Sequence, residues 1–457
     1  MSRRGADDTT PMIDRTAVRN NANYLRNVRP IDPAEIAEYI EGAPHPAVVR
    51  EALREEAFDL RLREREDGRF EPVPEGPIPD PDWGPTALPD AYSFALEDRL
   101  VAEFGANWHR GESGDALRER VRRLKTDYLH GNDVEYDRTG ALGYAMYHLP
   151  AYYATVGYVL DDLAENGLLD RTLRVLDVGA GVGGPALGLC DYLPDDAVVD
   201  YHAVEPSAAA DVLDRMLDET GRNFRPTIHE TTAETFLGLD GGGGADPDAA
   251  DDADADAADP ATDEPFDLVL FGNVLSELAD PVAVVETALD ALAADGSLVA
   301  FAPADRNTAV GLRRIEREVV AGGGDPGRDA DIYAPTLRLW PDAVPTDPGW
   351  SFDVAADLAV PPFQRRLDEA ADRGPTDEPG EFVNVDVQFA YSILRPDGTR
   401  RVDVEASAER CARMADSEDH VTDRVNHLAV KLSHDLSDGD NALYRVGDGS
   451  QATDHYL

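Results

Sequence analysis

Residues 175–184 read Val175-Leu176-Asp177-Val178-Gly179-Ala180-Gly181-Val182-Gly183-Gly184, an apolar strand that runs into a glycine-rich turn and then a helix. Glycine is needed where the backbone turns sharply and where a ligand must approach it with no Cβ in the way. The same turn also binds dinucleotides or simply packs a helix on a sheet, so the glycines alone leave the ligand open. Glu205 ends the next apolar run, 21 positions after Gly184. A carboxylate there can accept hydrogen bonds from both hydroxyls of a ribose.

Outward from this turn, β-branched runs at 174–178, 199–204, 227–229, 267–271 and 297–301 alternate with helical segments. Such alternation predicts an α/β fold, a Rossmann-like parallel sheet flanked by helices. Upstream, residues 30–64 predict two helices, opening at Asp32-Pro33 and near His45-Pro46, and prolines recur from 70 to 90 as an extended arm. Helical pattern returns across 91–170, with Tyr144, Tyr147, Tyr152, Tyr153 and Tyr158 in its last part. The expected division is therefore an N-terminal helical segment (1–69), the arm (70–90), a helical cap (91–170), the sheet domain (171–400) and a small C-terminal β-containing extension (401–457). Residues 238–265 are a Gly, Asp, Ala and Pro tract with almost nothing to bury, expected as a disordered acidic insert.

The pattern D-x-G-x-G-x-G beginning at Asp177 resembles motif I of class I S-adenosylmethionine (SAM) methyltransferases. The segment Phe266-Asp267-Leu268-Val269-Leu270-Phe271-Gly272-Asn273-Val274-Leu275-Ser276-Glu277-Leu278 resembles the same family's fourth strand and active-site loop. The resemblance implies SAM as cofactor. It assigns Asp177, Gly179, Gly181 and Gly183 to the methionine moiety, Glu205 to the ribose, Thr232 and Glu234 to the adenine, and Asn273 to the edge of the methyl-transfer site. Asn273 lies outside the N-P-P-Y pattern of exocyclic-amine methyltransferases, which leaves the acceptor atom open; a turn residue capping the next helix is its other reading. An NAD-binding domain remains the alternative for the turn itself.

Read with its flanks, Tyr147-His148-Leu149-Pro150-Ala151-Tyr152-Tyr153 before the turn and Pro303, Gly311 and Arg313-Arg314 after it, the chain resembles the methyltransferase-like family associated with the small ribosomal subunit. That family often carries iron–sulfur cysteines in the stretch matching 333–367. This chain has none there, so no metal is expected.

Composition sets the medium. Acidic residues number 91 against 42 basic ones, for a net charge of -49, and Lys125 and Lys431 are the only lysines. Acids spread along the whole chain are a solvation strategy for concentrated salt, and the chain is expected in an extreme halophile's cytoplasm. At molar salt the Debye length falls to about 3 Å, so basic patches act locally. Two such patches, Arg118, Arg122 and Arg123 on one segment and Arg313 and Arg314 on another, give an RNA partner its physical basis; pairing with neighbouring acids is their other reading. Cys190 and Cys411 fit buried hydrophobes, and His109 and His148 fit structural roles. No stretch reaches the roughly 18 apolar residues a membrane span needs, and neither membrane nor DNA is expected as a partner.

The leading expectation is thus a SAM-dependent methyltransferase-like protein acting on ribosomal RNA or in small-subunit assembly. Its alternatives are an assembly factor that binds SAM without catalysis and a small-molecule O- or C-methyltransferase. A pocket capped by the tyrosine-rich helices favours the small molecule; a shallow site flanked by the arginines favours the ribosome.

Overall fold

Each early helix starts where a side chain takes up its free amides. Asp14 accepts from the Ala17 N–H before α1 (Arg15–Leu25), Asp32 caps α2 (Pro33–Tyr39), and the His45 ring caps α3 (Pro46–Glu55). The sequence predicts α2 and α3; α1 is an addition to that reading. These helices and a hairpin of β1 (Leu62–Glu64) and β2 (Phe70–Pro72) close a core of their own around Val18, Ile36, Val49, Leu53 and Phe70. The N-terminal unit therefore runs through Pro72 and not to 69, because Phe70 pairs with Glu64 and exchanges backbone hydrogen bonds with Ile31.

The computed structural model describes residues 13–130, 134, 136–239, 264–322, 330–335, 350, 352–373, 379–401, 413, 428–435, 442–447 and 455–456. Nearly all of the acidic insert, together with Cys411, lies outside the described residues. Among the described residues no helix is long and apolar enough to cross a membrane.

The proline arm leads into the cap, α4 (Asp90–Phe104), α5 (Gly111–His130) and α6 (Arg138–Ala164). Next come β3 (Thr172–Val178), α7 (Gly184–Tyr192), β4 (Val198–Val204), α8 (Ala210–Leu217), β5 (Phe224–His229), α9 (Ala233–Phe236), β6 (Phe266–Gly272), α10 (Pro281–Asp290), β7 (Leu292–Pro303) and α11 (Arg306–Gly322). The remaining elements are β8 (Asp331–Ala334), β9 (Asp353–Ala355), α12 (Pro362–Glu369), β10 (Val387–Arg395), β11 (Leu428–Asp435), β12 (Ala442–Gly447) and β13 (His455–Tyr456).

The central sheet order is β5-β4-β3-β6-β7-β10, parallel through β7 and antiparallel at β10. Beyond β10 the sheet continues through β9 to β11, β12 and β13, so the expected C-terminal strand pair extends the same sheet. Alternation along β3 puts Leu173 and Val175 in the core under the cap and Leu176 and Val178 in the core on the opposite face. The chain steps from β3 to β4 and β5 in one direction, then returns to place β6 on the other side of β3. The order thus reverses at β3, and a crevice opens at the carboxyl ends of β3, β4 and β6.

Candidate cofactor and acceptor cavities

At that crevice the glycine turn does what its composition predicts. Gly179, Gly181 and Gly183 all have φ between +57° and +88°, the left-handed region that favours glycine. Their neighbours differ. A Cβ on Gly179 would strike Val274, and one on Gly183 would come within 2.9 Å of Leu213, whereas one on Gly181 would meet nothing nearer than 3.9 Å. The open space beside Gly181 is a cavity of about 250 Å³ lined by Gly179, Gly181, Glu205, Ser207, Thr232, Glu234, Asn273 and Glu277, with Tyr136 and Tyr144 also on its wall.

Glu205 is 7% exposed and closes the far side of the turn. One carboxylate oxygen accepts the Gly181 N–H at 2.9 Å; the other accepts the Ser207 N–H at 2.9 Å and the Ser207 hydroxyl. The oxygen facing Gly181 keeps lone-pair capacity for a ligand hydroxyl. Thr232 caps α9 by accepting from the Thr235 N–H at 3.2 Å, which places Thr232 and Glu234 on the cavity wall.

Two of the expected cofactor residues stand elsewhere. Asp177 lies outside the lining: it faces the core under the cap, fully buried, with the Tyr201 hydroxyl donating to one carboxylate oxygen and no partner on the other. Burial pushes its carboxyl up to about 7, against the Tyr201 hydrogen bond, and the Glu205 charge adds to the rise. Gly183 caps α7 and sits against α8, so its role is packing.

Asn273 follows β6 with φ +65°, its backbone N–H donating to the Phe301 carbonyl at 2.9 Å. Its side chain is 5% exposed, and Nδ2 has no partner. The reading of Asn273 as a cap for the next helix is corrected, because Asp280 caps α10. Together with Glu277 and Leu278 it also walls a second cavity of about 590 Å³, between the turn at 275–279 and the first half of α11.

Of the aromatic wall, Tyr144 belongs to the tyrosine-rich segment that the sequence offers as a pocket cap, whereas nothing in the sequence singles out Tyr136. Tyr136 and Tyr144 pack edge to face, ring centroids 5.4 Å apart at 82°, and the Tyr136 hydroxyl donates to Glu277 at 3.0 Å. Behind them His148 stacks on Tyr152 at 5.2 Å, and burial holds its imidazole at about 3, so it serves as a neutral packing element. Cys190 is likewise no nucleophile, since burial pushes its thiol to about 11.

The arginine patches come apart in the fold. Arg118 is buried, donating to the carbonyls of His109 and Leu367 and to Asp115. Arg313 is fully buried, paired with Glu316 and donating to the Tyr391 carbonyl. Neither can reach a phosphate, which corrects their assignment to RNA. Arg122 pairs with Glu381 at 2.6 Å and lies over the Phe382 ring, Arg123 stands 3.8 Å from Asp127, and Arg314 is exposed on α11. Among the described residues, no arginine or lysine lines either cavity.

That lining tests the ligand. Three carboxylates (Glu205, Glu234 and Glu277) and no cation suit a cofactor bearing a positive sulfonium and oppose a dinucleotide pyrophosphate. The open cradle at Gly181 and the acceptor at Glu205 fit SAM.

Residues 151–358 match the family described as Methyltransferase domain. The flanks match the two ends of one further family: residues 15–66 the Domain of unknown function (DUF8157) N-terminal domain, and residues 415–457 its C-terminal domain. No curated protein matches the chain. Among solved structures it is similar to the mitomycin 7-O-methyltransferase MmcR (16% identity, TM-score 0.25, 63% of this chain and 75% of that one). It is also similar to the plantazolicin methyltransferase BamL, solved with a triazolic desmethylPZN analog and SAH (11%, TM-score 0.30, 67% and 98%). A third is the precorrin-6y C5,15-methyltransferase of Geobacter metallireducens GS-15 (13%, TM-score 0.28, 52% and 87%). The family match over residues 151–358, with the glycine turn and Glu205 in place, supports a methyltransferase domain there with SAM as its cofactor.

Proposed function

We propose that the chain methylates a small molecule. One observation carries this reading: the cofactor cavity is walled by Tyr136 and Tyr144 and adjoins, through Asn273 and Glu277, a second cavity, with no cation on either lining among the described residues. A polyanionic RNA is held chiefly by phosphate contacts from arginine and lysine, and such contacts are missing from these walls.

SAM, when bound, supplies a methyl group already activated by its positive sulfur. What the protein adds is position and shelter. Gly181 would let the backbone approach the cofactor, Glu205 would accept from the ribose, and Asn273 stands at the junction of the two cavities. Tyr136 and Tyr144 shield that junction from water.

Isotope-labelled SAM tests the proposal when offered to the purified protein with either a low-molecular-weight cell extract or small ribosomal subunits. Label in the small-molecule fraction is expected. Label in ribosomal RNA would establish the RNA reading instead, and stable co-sedimentation with the subunits without transfer would favour the non-catalytic assembly factor.

A further inference from the structure

Two helices far apart in the chain, α1 and α4, each leave apolar side chains on the face turned away from the core. In α1, Val18, Ala22 and Leu25 pack inward, while Tyr24 is 78% and Val28 71% exposed, one turn apart. Helical bonding runs past the end of α1, with the Val28 N–H donating to the Leu25 carbonyl, so the two side chains share a face. In α4, Tyr92, Leu96 and Leu100 pack inward, while Phe94 is 60% and Val101 41% exposed, two turns apart. A single exposed apolar residue is ordinary, whereas two at helical spacing form a stripe that burial would stabilise.

The polar groups beside the two stripes are opposite in kind. Asp90 and Asp98, four residues before and after Phe94, stand exposed on the α4 face. Residues 15–31 hold four arginines, four asparagines and no acid, in a chain with 91 acids. Asn20 and Asn27 are exposed on the side of Tyr24, and their amides can donate to carboxylates. Arg15, Arg19 and Arg29 are paired with Glu55, with Glu56 and Asp59, and with Glu35 of their own unit. Arg26 has no acidic partner among the described residues and leaves α1 an uncompensated positive charge.

A chain of net charge -49 repels its own copies over most of its surface, and an acid-free face is where a second copy can approach. We propose that α1 of one chain docks on α4 of a second copy, Tyr24 and Val28 against Phe94 and Val101, with Asp90 and Asp98 taken up by Asn20, Asn27 and Arg26. The two faces differ, so copies join in a ring or a chain, or as a two-fold pair in which both α1–α4 contacts form at once. Two helix faces fall short of the roughly 800 Å² per partner of a stable complex, so the affinity is micromolar or weaker. The contact does not depend on what fills the cavities.

Sedimentation equilibrium of the full-length chain, at fixed salt, reads the association. Tyr24→Glu and Phe94→Glu each put a further acid into the contact and are expected to weaken it at least about 30-fold, the scale of an interface hot spot. Both residues are exposed in the single chain, so thermal unfolding of the two variants stays close to wild type. Mixing decides the pairing. Tyr24→Glu keeps an intact α4 and Phe94→Glu an intact α1, so the two variants together recover association through that one contact and stop at the dimer. The proposal is overturned by a wild-type chain that stays monomeric up to about 1 mM, by variants that associate like wild type, or by a mixture that stays monomeric. Loss of association in Tyr24→Glu alone would show α1 pairing with itself, and oligouridylate bound by a monomeric wild-type chain and lost in Tyr24→Glu would make the face a nucleic-acid platform. Each of these results also overturns the pairing with α4.

Discussion

The Glu205 carboxylate at the end of β4 accepts the Gly181 amide N–H at 2.9 Å, so one side chain both shapes the glycine turn and faces the cofactor cavity. Glu205→Ala removes a charged acceptor from the ribose and loosens the turn. SAM affinity is expected to fall roughly 10- to 100-fold, the worth of a hydrogen bond to a charged group. Gly181→Val, which forces a β-branched residue to φ +57° and fills the cradle, is expected to abolish binding. Titration calorimetry, with circular dichroism to confirm the fold, checks both; unchanged affinity in either variant contradicts this assignment.

Arg313 and Glu316 form an ion pair whose side chains are both 0% exposed. Arg313→Ala strands a buried carboxylate and is expected to cost about 3–5 kcal/mol in urea unfolding. Arg314→Ala, on the exposed face of α11, is expected within about 0.5 kcal/mol of wild type. Comparable losses in the two variants would mean that the helix faces are assigned wrongly.

Trp83 anchors the proline-rich arm by donating its indole N–H to the Ala154 carbonyl at 3.0 Å, and its ring fills the space a Cβ on Gly157 would need. Gly157→Ala is expected to displace the indole and destabilise by about 1–3 kcal/mol. Because both changes act on one contact, Trp83→Ala combined with Gly157→Ala should cost less than the sum of the single changes. Strict additivity in thermal unfolding would show that the two are not coupled.

Asp177 is an acid whose folded value is raised to about 7 from an ordinary 3.8 by burial. Its neutral form is favoured in the fold, so the stability it contributes is complete below the ordinary value and is lost as pH rises through about 7. Asp177→Asn does not titrate. Relative to the variant, the wild-type protein is therefore expected to lose stability between about pH 4 and pH 7, by at most about 4 kcal/mol. Urea melts across that window, at constant salt, check the sign; a difference that does not change with pH contradicts it.

Short-range features were legible in the sequence. Short β-branched runs between helical segments predict β3, β4, β6 and β7, and the glycine spacing predicts a turn whose left-handed backbone is observed. The Asp32-Pro33 and His45-Pro46 helix starts are read from caps that act over two or three residues. Gly181, Glu205 and Asn273 reach the cavity because each sits at a strand's carboxyl end or in the turn after it, where topology alone directs side chains to the crevice.

Long-range partnership was decided by the tertiary structure. Arg118 and Arg313 read as surface charge in the sequence, and they are buried because Leu367 and Tyr391, 249 and 78 residues away, supply carbonyls for them. The second cavity exists because the turn after β6 and the start of α11 stand apart over a shared floor, an arrangement no local pattern encodes. Asp177 has the spacing of a cofactor residue, yet alternation along β3 turns it toward Tyr201. Periodicity, glycine conformation and capping depend on neighbours in the chain, so the sequence by itself determines the elements, their order and the cofactor turn. Burial of a charge and the shape of a void depend on which distant segments meet, and only the folded chain decides that.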